Sequence, residues 1–291
     1  MKATEAERLG KAVMLGALMV ALMLAPGRAC GEGTMGAAPV RYVANLRLWV
    51  LTTDRISYVM GLNERDELQT LYWGGKLESD HDLSAARLHP EHASFDSQET
   101  MSNLEYPGWG GRYYNEPALK VTLASGVRDL VLKYASHEIR GDMLEIRLKD
   151  IQYDLFVKLT YKVFAKEDII RKQAEIENRT PQVVTVESAQ SGVWYVPAGE
   201  GYRLSYLTGR WAGETQLVQE PLHPGEKVLE SRRGNTSHQL NPWFAIDEGG
   251  EADGTRPRVV RRPRLERQLE TGGGRHACRP PSAGDRRLQR L

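Results

Sequence analysis

The stretch Met143–Val163, MLEIRLKDIQYDLFVKLTYKV, decides the fold class of this 291-residue chain. Its apolar residues stand first on even numbers and, after Asp150, on odd numbers. The two sets are Leu144, Ile146 and Leu148, then Ile151, Tyr153, Leu155, Val157, Leu159, Tyr161 and Val163. Alternate side chains of a strand lie on one face, so this period of two predicts β-strands with one buried face. The change of phase at Asp150 indicates a bulge or a tight turn between two strands.

The same period continues on both sides of this stretch. Val40–Val50 carries apolar residues on even numbers, which predicts one strand face against a core. Arg55–Gly74 has two such runs around a polar NERD and predicts a hairpin, and Glu116–Ile139 repeats the pattern with Gly126 as the turn. The polar segment Asp80–Glu99 predicts a long loop with a helical turn. Many short strands with Gly, Pro and Asn breaks favour an all-β fold, a large antiparallel sandwich over residues 40–250.

The N-terminus predicts a secretory signal peptide over residues 1–29. Basic residues precede an apolar run, Ala12–Pro26, and small residues, Gly27 and Ala29, follow it at the expected cleavage point. We therefore expect export to the periplasm or the medium. Lipid attachment at Cys30 and a retained membrane anchor remain alternatives. Two cysteines, Cys30 and Cys278, are too few to indicate a disulfide framework.

The C-terminal segment differs in composition from everything before it. Arg256–Arg290 has many arginines, no lysine, no aromatic residue and no apolar period. We predict that residues 251–291 are disordered and that they arise from a frameshift near Gly250–Thr255, because GC-rich DNA translated out of frame is rich in Arg, Pro, Gly and Ala. A genuine disordered basic tail is the alternative. With a formal net charge of +1, we expect no nucleic-acid partner. A nucleic-acid binder with steeply salt-dependent affinity is the alternative if the basic tail is genuine.

No catalytic or metal-binding motif is evident along the chain. A cluster of three histidines and a glutamate matches no metal-ligand spacing, and we expect a solvated loop there. Its members are His81, His89, Glu91 and His92. No glycine-rich phosphate loop, no nucleophile elbow and no marked carboxylate pair is present. We therefore expect no cofactor, no metal and no catalytic residue.

Two aromatic clusters carry the functional signal. LYWGG, Leu71–Gly75, and EYPGWGGRYYNEPALKV, Glu105–Val121, concentrate Trp, Tyr, Gly and charged residues. Aromatic faces can stack on the apolar faces of sugar rings, and glycines allow the backbone to approach a ligand closely. Packing of these rings in the sandwich core is the structural alternative, and composition alone leaves both open.

These stretches resemble the N-terminal domain of glycoside hydrolase family 36, the bacterial and fungal α-galactosidases. The resemblance runs from about Leu48 to Ile246, and its most specific parts are RYYNEPALK, Arg112–Lys120, and SRRGNTSHQLNPWF, Ser231–Phe244. It implies a β-supersandwich that precedes a catalytic (β/α)8 barrel. That barrel carries a nucleophilic aspartate in a Lys-Trp-Asp motif and a second aspartate as general acid, and this sequence contains no Lys-Trp-Asp.

The resemblance implies an N-terminal, non-catalytic part of an exported α-galactosidase. Because retaining hydrolysis requires two facing carboxyl groups, we expect no activity from this chain alone. A stand-alone carbohydrate-binding or assembly module is the alternative. The family's N-terminal domain helps subunits to associate as homo-oligomers and can lend loop residues to a sugar pocket. By that resemblance, weak contacts to α-galactosides are expected from Trp73, Trp109, Arg112 and Tyr113.

Overall fold

A computed structural model of the chain describes residues 38–79, 82–85, 103–111, 116–196, 201–230 and 239–247, together with the backbone of 259–261, 276–278 and 289–290. The chain divides into two compact units, Met1–Ala37 and Ala38–Leu291, and all described residues lie in the second. The predicted signal peptide, Arg112 and Tyr113 lie outside the described residues. The predicted domain boundaries stay predictions.

The described part is an all-β protein, as predicted, with every sheet antiparallel. One short helix, α1 (Asp82–Ala85), lies where the helical turn was predicted. The strands are β1 (Val40–Val43), β2 (Leu48–Thr52), β3 (Ile56–Leu62), β4 (Leu68–Gly75), β5 (Leu119–Leu123), β6 (Leu132–Arg140), β7 (Met143–Asp150), β8 (Leu155–Phe164), β9 (Ile169–Asn178), β10 (Val184–Ala189), β11 (Arg203–Arg210), β12 (Gly213–Pro221), β13 (Leu240–Asp247), β14 (Val259–Arg261), β15 (His276–Cys278) and β16 (Gln289–Arg290).

Four sheets result from the pairing of these strands. Sheet A has the order β1-β2-β3-β4, and sheet B has the order β15-β10-β5. Sheet C has the order β16-β9-β8-β7-β6, and sheet D has the order β12-β11-β13-β14. The predicted hairpin in Arg55–Gly74 is confirmed as β3 and β4. The predicted turn at Gly126 is also confirmed, with φ +84°, but β5 pairs with β10 and not with the strand that follows it.

The phase change at Asp150 is a tight turn between β7 and β8. Buried side chains alternate along both strands and change phase across the turn. The buried carboxylate of Asp150 accepts hydrogen bonds from the backbone N–H groups of Gln152 and Tyr153, at 2.9 and 2.8 Å, and so holds the turn. Ile151 was expected on the apolar face of β8. That prediction is wrong, because the residue lies in the turn and its side chain is 64% exposed.

The alternation in Val40–Val50 belongs to two strands and not to one. Residues 44–47 form a turn between β1 and β2, and Arg47 takes a left-handed φ of 54° there. Both faces of β2 are buried: Trp49 and Leu51 face the main core, whereas Leu48 and Val50 face a second cluster. The even-number pattern therefore does not mark a single buried face.

Sheets A, B and C enclose one hydrophobic core. Its buried members come from every strand from β1 to β10, together with Tyr106, Ala118 and Leu130 of the connecting segments. The second cluster lies on the other face of sheet A, where Leu83 of α1 is fully buried against Leu48, Val50 and Val59. The segment 103–111 joins sheets A and B, because Leu104 bridges to Gln69 of β4 and Gly108 bridges to Leu119 of β5.

Among the side chains that the structure describes, sheet D contributes to neither of these two clusters. In β11 and β13 only Leu204, Ser205 and Ala245 are buried, and β12 is exposed along most of its length. The apolar residues of this sheet are therefore only partly covered by the described residues.

Three short strands lie in the Arg-rich C-terminal segment. β14 pairs with β13, β15 with β10, and β16 with β9. The prediction that residues 251–291 are disordered is therefore not confirmed for these strands. The rest of the segment lies outside the described residues.

Candidate functional site

Glu105 is a fully buried carboxylate where the segment 103–111 meets strands of sheets A and C. Its Oε2 accepts hydrogen bonds from the hydroxyls of Tyr58, at 2.7 Å, and of Thr70. Its Oε1 accepts a hydrogen bond from the Tyr161 hydroxyl at 2.7 Å and pairs with the ammonium of Lys172. Burial of a carboxylate is costly unless it is paired and hydrogen-bonded, and all of these partners satisfy it.

Lys172 is the counterion, with a side chain that is 1% exposed. Its Nζ also donates to the backbone carbonyl of Val193 at 2.7 Å and lies 5.0 Å from the ring centroid of Trp194. A Cβ at Gly192 would lie 2.8 Å from Cδ of Lys172, so only glycine leaves room for this side chain. The ion pair therefore fastens the segments 103–111 and 190–196 to sheets A and C.

Both tyrosines that donate to Glu105 have altered acidity. Burial raises the pKa of Tyr58 well above its ordinary value, and the negative charge of Glu105 raises it further. The same two causes, in the same order, raise the pKa of Tyr161. Both hydroxyls therefore stay protonated and act as hydrogen-bond donors to the carboxylate at neutral pH.

Trp73, on β4, belongs to an aromatic cluster directly beside this ion pair. Its ring centroid lies 5.2 Å from that of Trp194 and 6.3 Å from that of Tyr58. Both tryptophans are partly buried against the main core, whereas Tyr58 beneath them is fully buried. The two tryptophan rings thus form the outer layer of the cluster, and the charged pair forms its base.

Trp109 lies in a different cluster. Its ring is covered by the guanidinium of Arg128, at 4.0 Å from the centroid, and the Lys120 ammonium lies 5.5 Å away. Arg128 in turn pairs with Glu187 at 2.6 Å. The Trp109 side chain is 40% exposed. A cation on the ring face is a stabilising contact in its own right, and it occupies a surface that a sugar would need.

The four residues predicted to contact galactoside are therefore not shown as one site. Trp73 and Trp109 belong to separate clusters, and Arg112 and Tyr113 lie outside the described residues. Glu105, Lys172 and Trp194 were not predicted from the sequence as members of a site. One signal was available, since Lys172 occupies the same strand face of β9 as Ala174 and Ile176, both buried in the core, and a lysine on an apolar face needs a buried partner.

The described residues contain neither a metal-binding cluster nor a membrane-spanning helix. Among them, no group of three or more His, Cys, Asp and Glu side chains is arranged to hold a metal ion. The four members of the predicted histidine cluster, His81, His89, Glu91 and His92, lie outside the described residues. Within the same described part, no helix has the length and apolarity needed to cross a bilayer.

Comparison with known proteins identifies the origin of this architecture. A family model described as "Glycosyl hydrolase family 36 N-terminal domain" matches residues 66–256. The α-galactosidase AgaA of Geobacillus stearothermophilus is 30% identical over an alignment of 236 residues that covers 71% of this chain and 32% of that enzyme. The chain therefore spans about one third of the length of this relative.

Solved structures of α-galactosidases match as well. The crystal structure of the family 36 α-galactosidase AgaB from Geobacillus stearothermophilus superposes with a TM-score of 0.62 at 28% identity, over 72% of this chain and 32% of that one. An AgaA variant crystallised in complex with raffinose gives a TM-score of 0.61 at 28% identity, over 69% of this chain and 31% of that one. From the matched family model, the relative and the shared fold together, we conclude that the chain belongs to glycoside hydrolase family 36 through the N-terminal domain of that family.

Proposed function

We propose that this chain acts as the non-catalytic N-terminal domain of an exported α-galactosidase. The observation that carries the proposal is the match of residues 66–256 to the family's N-terminal domain, combined with the 32% share of AgaA that the chain spans. Export is proposed from the signal-peptide pattern of residues 1–29. Hydrolysis of terminal α-galactosides belongs to the intact enzymes, and the chain alone is proposed to lack it.

The contribution of this domain to sugar binding is proposed to come from its aromatic loops. Trp73 presents a partly exposed ring beside Trp194, and an apolar sugar face can stack on such a ring. Arg112 and Tyr113 remain proposed galactoside contacts on the strength of the family motif. Trp109 is the weaker member of the set, because the Arg128 guanidinium lies 4.0 Å from its ring centroid.

A second candidate, a stand-alone carbohydrate-binding module, is favoured by one observation. Sheets A, B and C share a continuous buried core that includes the satisfied Glu105–Lys172 pair. A domain with its own core can fold and bind a ligand without a partner.

Two measurements on the purified chain test the proposal. Assay on a chromogenic α-galactoside should give no turnover, and turnover that matches an intact family member would refute a non-catalytic role. Titration with raffinose or melibiose, followed by tryptophan fluorescence, should show weak saturable binding that Trp73→Ala abolishes. Trp211→Ala is the matched control, since Trp211 lies in the turn between β11 and β12 and is 84% exposed.

The two candidates differ in the strength of binding. A stand-alone module should retain the affinity of an intact family member for the same sugar. A domain that only completes the pocket of an enzyme should bind far more weakly, because it supplies few of the hydrogen bonds that orient a sugar.

A further inference from the structure

The Arg-rich C-terminal segment supplies an edge strand to three of the four sheets. β14 lies at the edge of sheet D, β15 at the edge of sheet B and β16 at the edge of sheet C. All three strands lie beyond residue 256, where the match to the family model ends. Their position on the sheets is therefore a feature of this chain that the family model does not cover.

Each of these short strands covers the edge of a longer one. Without them, and among the described strands, sheet C would end in β9, of ten residues, sheet B in β10, of six, and sheet D in β13, of eight. An exposed edge presents a row of unpaired N–H and C=O groups, which is a template for pairing with another chain. Pairing or covering such an edge prevents this association.

The residues at the paired positions suit this role. In β14, Val259 stands opposite Ile246, so an apolar residue meets an apolar residue. In β16, Arg290 stands opposite Glu175. Aliphatic pairs and pairs of opposite charge at directly opposed positions stabilise antiparallel strands. The register therefore agrees with the residue types on both sides.

The net charge of the segment also complements that of the rest of the chain. Residues 251–291 contain eleven arginines, no lysine and five acidic residues, which gives this segment a net charge of +6. Because the whole chain has a formal net charge of +1, residues 1–250 carry −5. Attraction between opposite charges therefore favours contact of the segment with its own domain.

The connecting stretches are long enough for one molecule to supply all three strands. Fourteen residues separate β14 from β15, and ten separate β15 from β16. Extended chain spans about 3.5 Å per residue, so these stretches reach up to about 50 and 35 Å. Packed sheets lie only about 10 Å apart. The run Gly272–Gly274 and the pair Pro280–Pro281 in these stretches are residues that favour turns.

We propose that residues 259–290 bind the edges of sheets B, C and D of the same molecule and keep the chain monomeric. The occupant of each edge is a segment of this chain and not a partner protein. The inference requires neither the sugar contacts nor the lack of catalysis proposed above, so the failure of either leaves it unchanged.

Proline substitutions in the full 291-residue chain test the inference. Val260→Pro, Ala277→Pro and Gln289→Pro each remove a backbone donor from one short strand and so disfavour its pairing. Amide hydrogen exchange followed by NMR should become at least tenfold faster at the edge of β13, β10 and β9, respectively. Sedimentation velocity should show a monomer for the unchanged chain and self-association for the triple variant.

The matched control places proline between the strands. Gln268→Pro combined with Ala283→Pro should change neither the exchange rates nor the sedimentation. Equal effects of this control would overturn the inference, and so would unchanged exchange in β9, β10 and β13 of the three single variants. Protection of these edges that rises with protein concentration would assign the segment to a second copy and would also overturn it. The single variants each release one sheet, so they decide the question even if the triple variant does not fold.

Discussion

Glu105 and Lys172 show how strongly the stability of the folded chain can depend on a single buried ion pair. Each side chain is almost fully buried, and each would be an unpaired charge in the core without the other. The gain from such a pair over apolar replacements is small, whereas the loss of one partner is severe. The sequence places Lys172 on the apolar side of a strand, but it does not reveal that Glu105, from a distant loop, meets it there.

Replacement of Lys172 tests this dependence. Lys172→Met should lower the free energy of unfolding by about 3–5 kcal/mol, because it leaves the Glu105 carboxylate uncompensated. Urea denaturation followed by far-UV circular dichroism measures the change. Lys162→Met is the matched control, since the Lys162–Asp142 pair at 3.6 Å is partly exposed and should contribute about 0–1 kcal/mol. Equal effects of the two substitutions would contradict the role of the buried pair.

His137 predicts a pH dependence of stability. It packs among Tyr42, Trp49 and Tyr134, and burial lowers its pKa below the ordinary value of 6.5. The unfolded chain therefore binds this proton more readily, and the free energy of unfolding should fall as the pH drops from about 6.5 through the lower folded-state pKa. Denaturation at pH 7.5 and 5.0 should show a smaller difference for His137→Gln than for the unchanged chain. An identical difference would exclude His137 as a contributor.

At the scale of elements, the alternation of apolar and polar residues was sufficient to predict the strands but not where they begin and end. β7 and β8 follow the predicted pattern, because each has one face in the core. The prediction failed for Val40–Val50, where both faces of β2 are buried and alternation carries no information about the turn before it. It failed for Ile151 because the turn is set by the carboxylate of Asp150, a local contact that hydrophobic periodicity does not reveal.

The β6–β7 hairpin depends on a glycine in its two-residue loop. Arg140 pairs with Met143, so the loop is Gly141 and Asp142, and Gly141 has a φ of +61°. Two-residue hairpin loops require this left-handed geometry. Gly141→Ala should therefore lower the free energy of unfolding by about 1–2 kcal/mol.

Thermal or urea unfolding of Gly141→Ala and of the matched variant Gly75→Ala distinguishes backbone strain from steric crowding as the cause of a loss of stability. A Cβ at Gly141 would meet no atom within 4 Å, and the same is true of Gly75, which lacks a left-handed φ. Gly75→Ala should therefore have little effect. A comparable loss in both variants would show that the left-handed backbone is not the cause.

At the scale of the whole molecule, the arrangement of the sheets could not be predicted from the sequence. β5 pairs with β10 across the intervening sheet C strands, and no local pattern encodes a partner so far along the chain. The fold class was predictable from the period of two, and the family was predictable from the two specific motifs, Arg112–Lys120 and Ser231–Phe244. The predicted galactoside contacts stay predictions: Trp73 lies beside Trp194 and Tyr58, whereas the guanidinium of Arg128 covers the ring of Trp109.

The separation of sheet D from the shared core predicts uneven stability within the chain. Amides in β7 and β8 lie under the main core and should exchange only on global unfolding. Amides in β11 and β12 should exchange faster, through local opening of a sheet that is only partly covered. Hydrogen exchange with mass spectrometry on the full chain measures both sets in one experiment, and equal protection would show that sheet D shares the stability of the core.

The hydrogen-bonded carboxylate of Glu105 has a consequence for the order of folding. Its partners Tyr58, Tyr161 and Lys172 lie 47, 56 and 67 residues away in sequence. Because closing long loops is entropically costly, we expect these contacts to form late in folding. The contacts of the Glu105 carboxylate should therefore slow unfolding more than they speed folding.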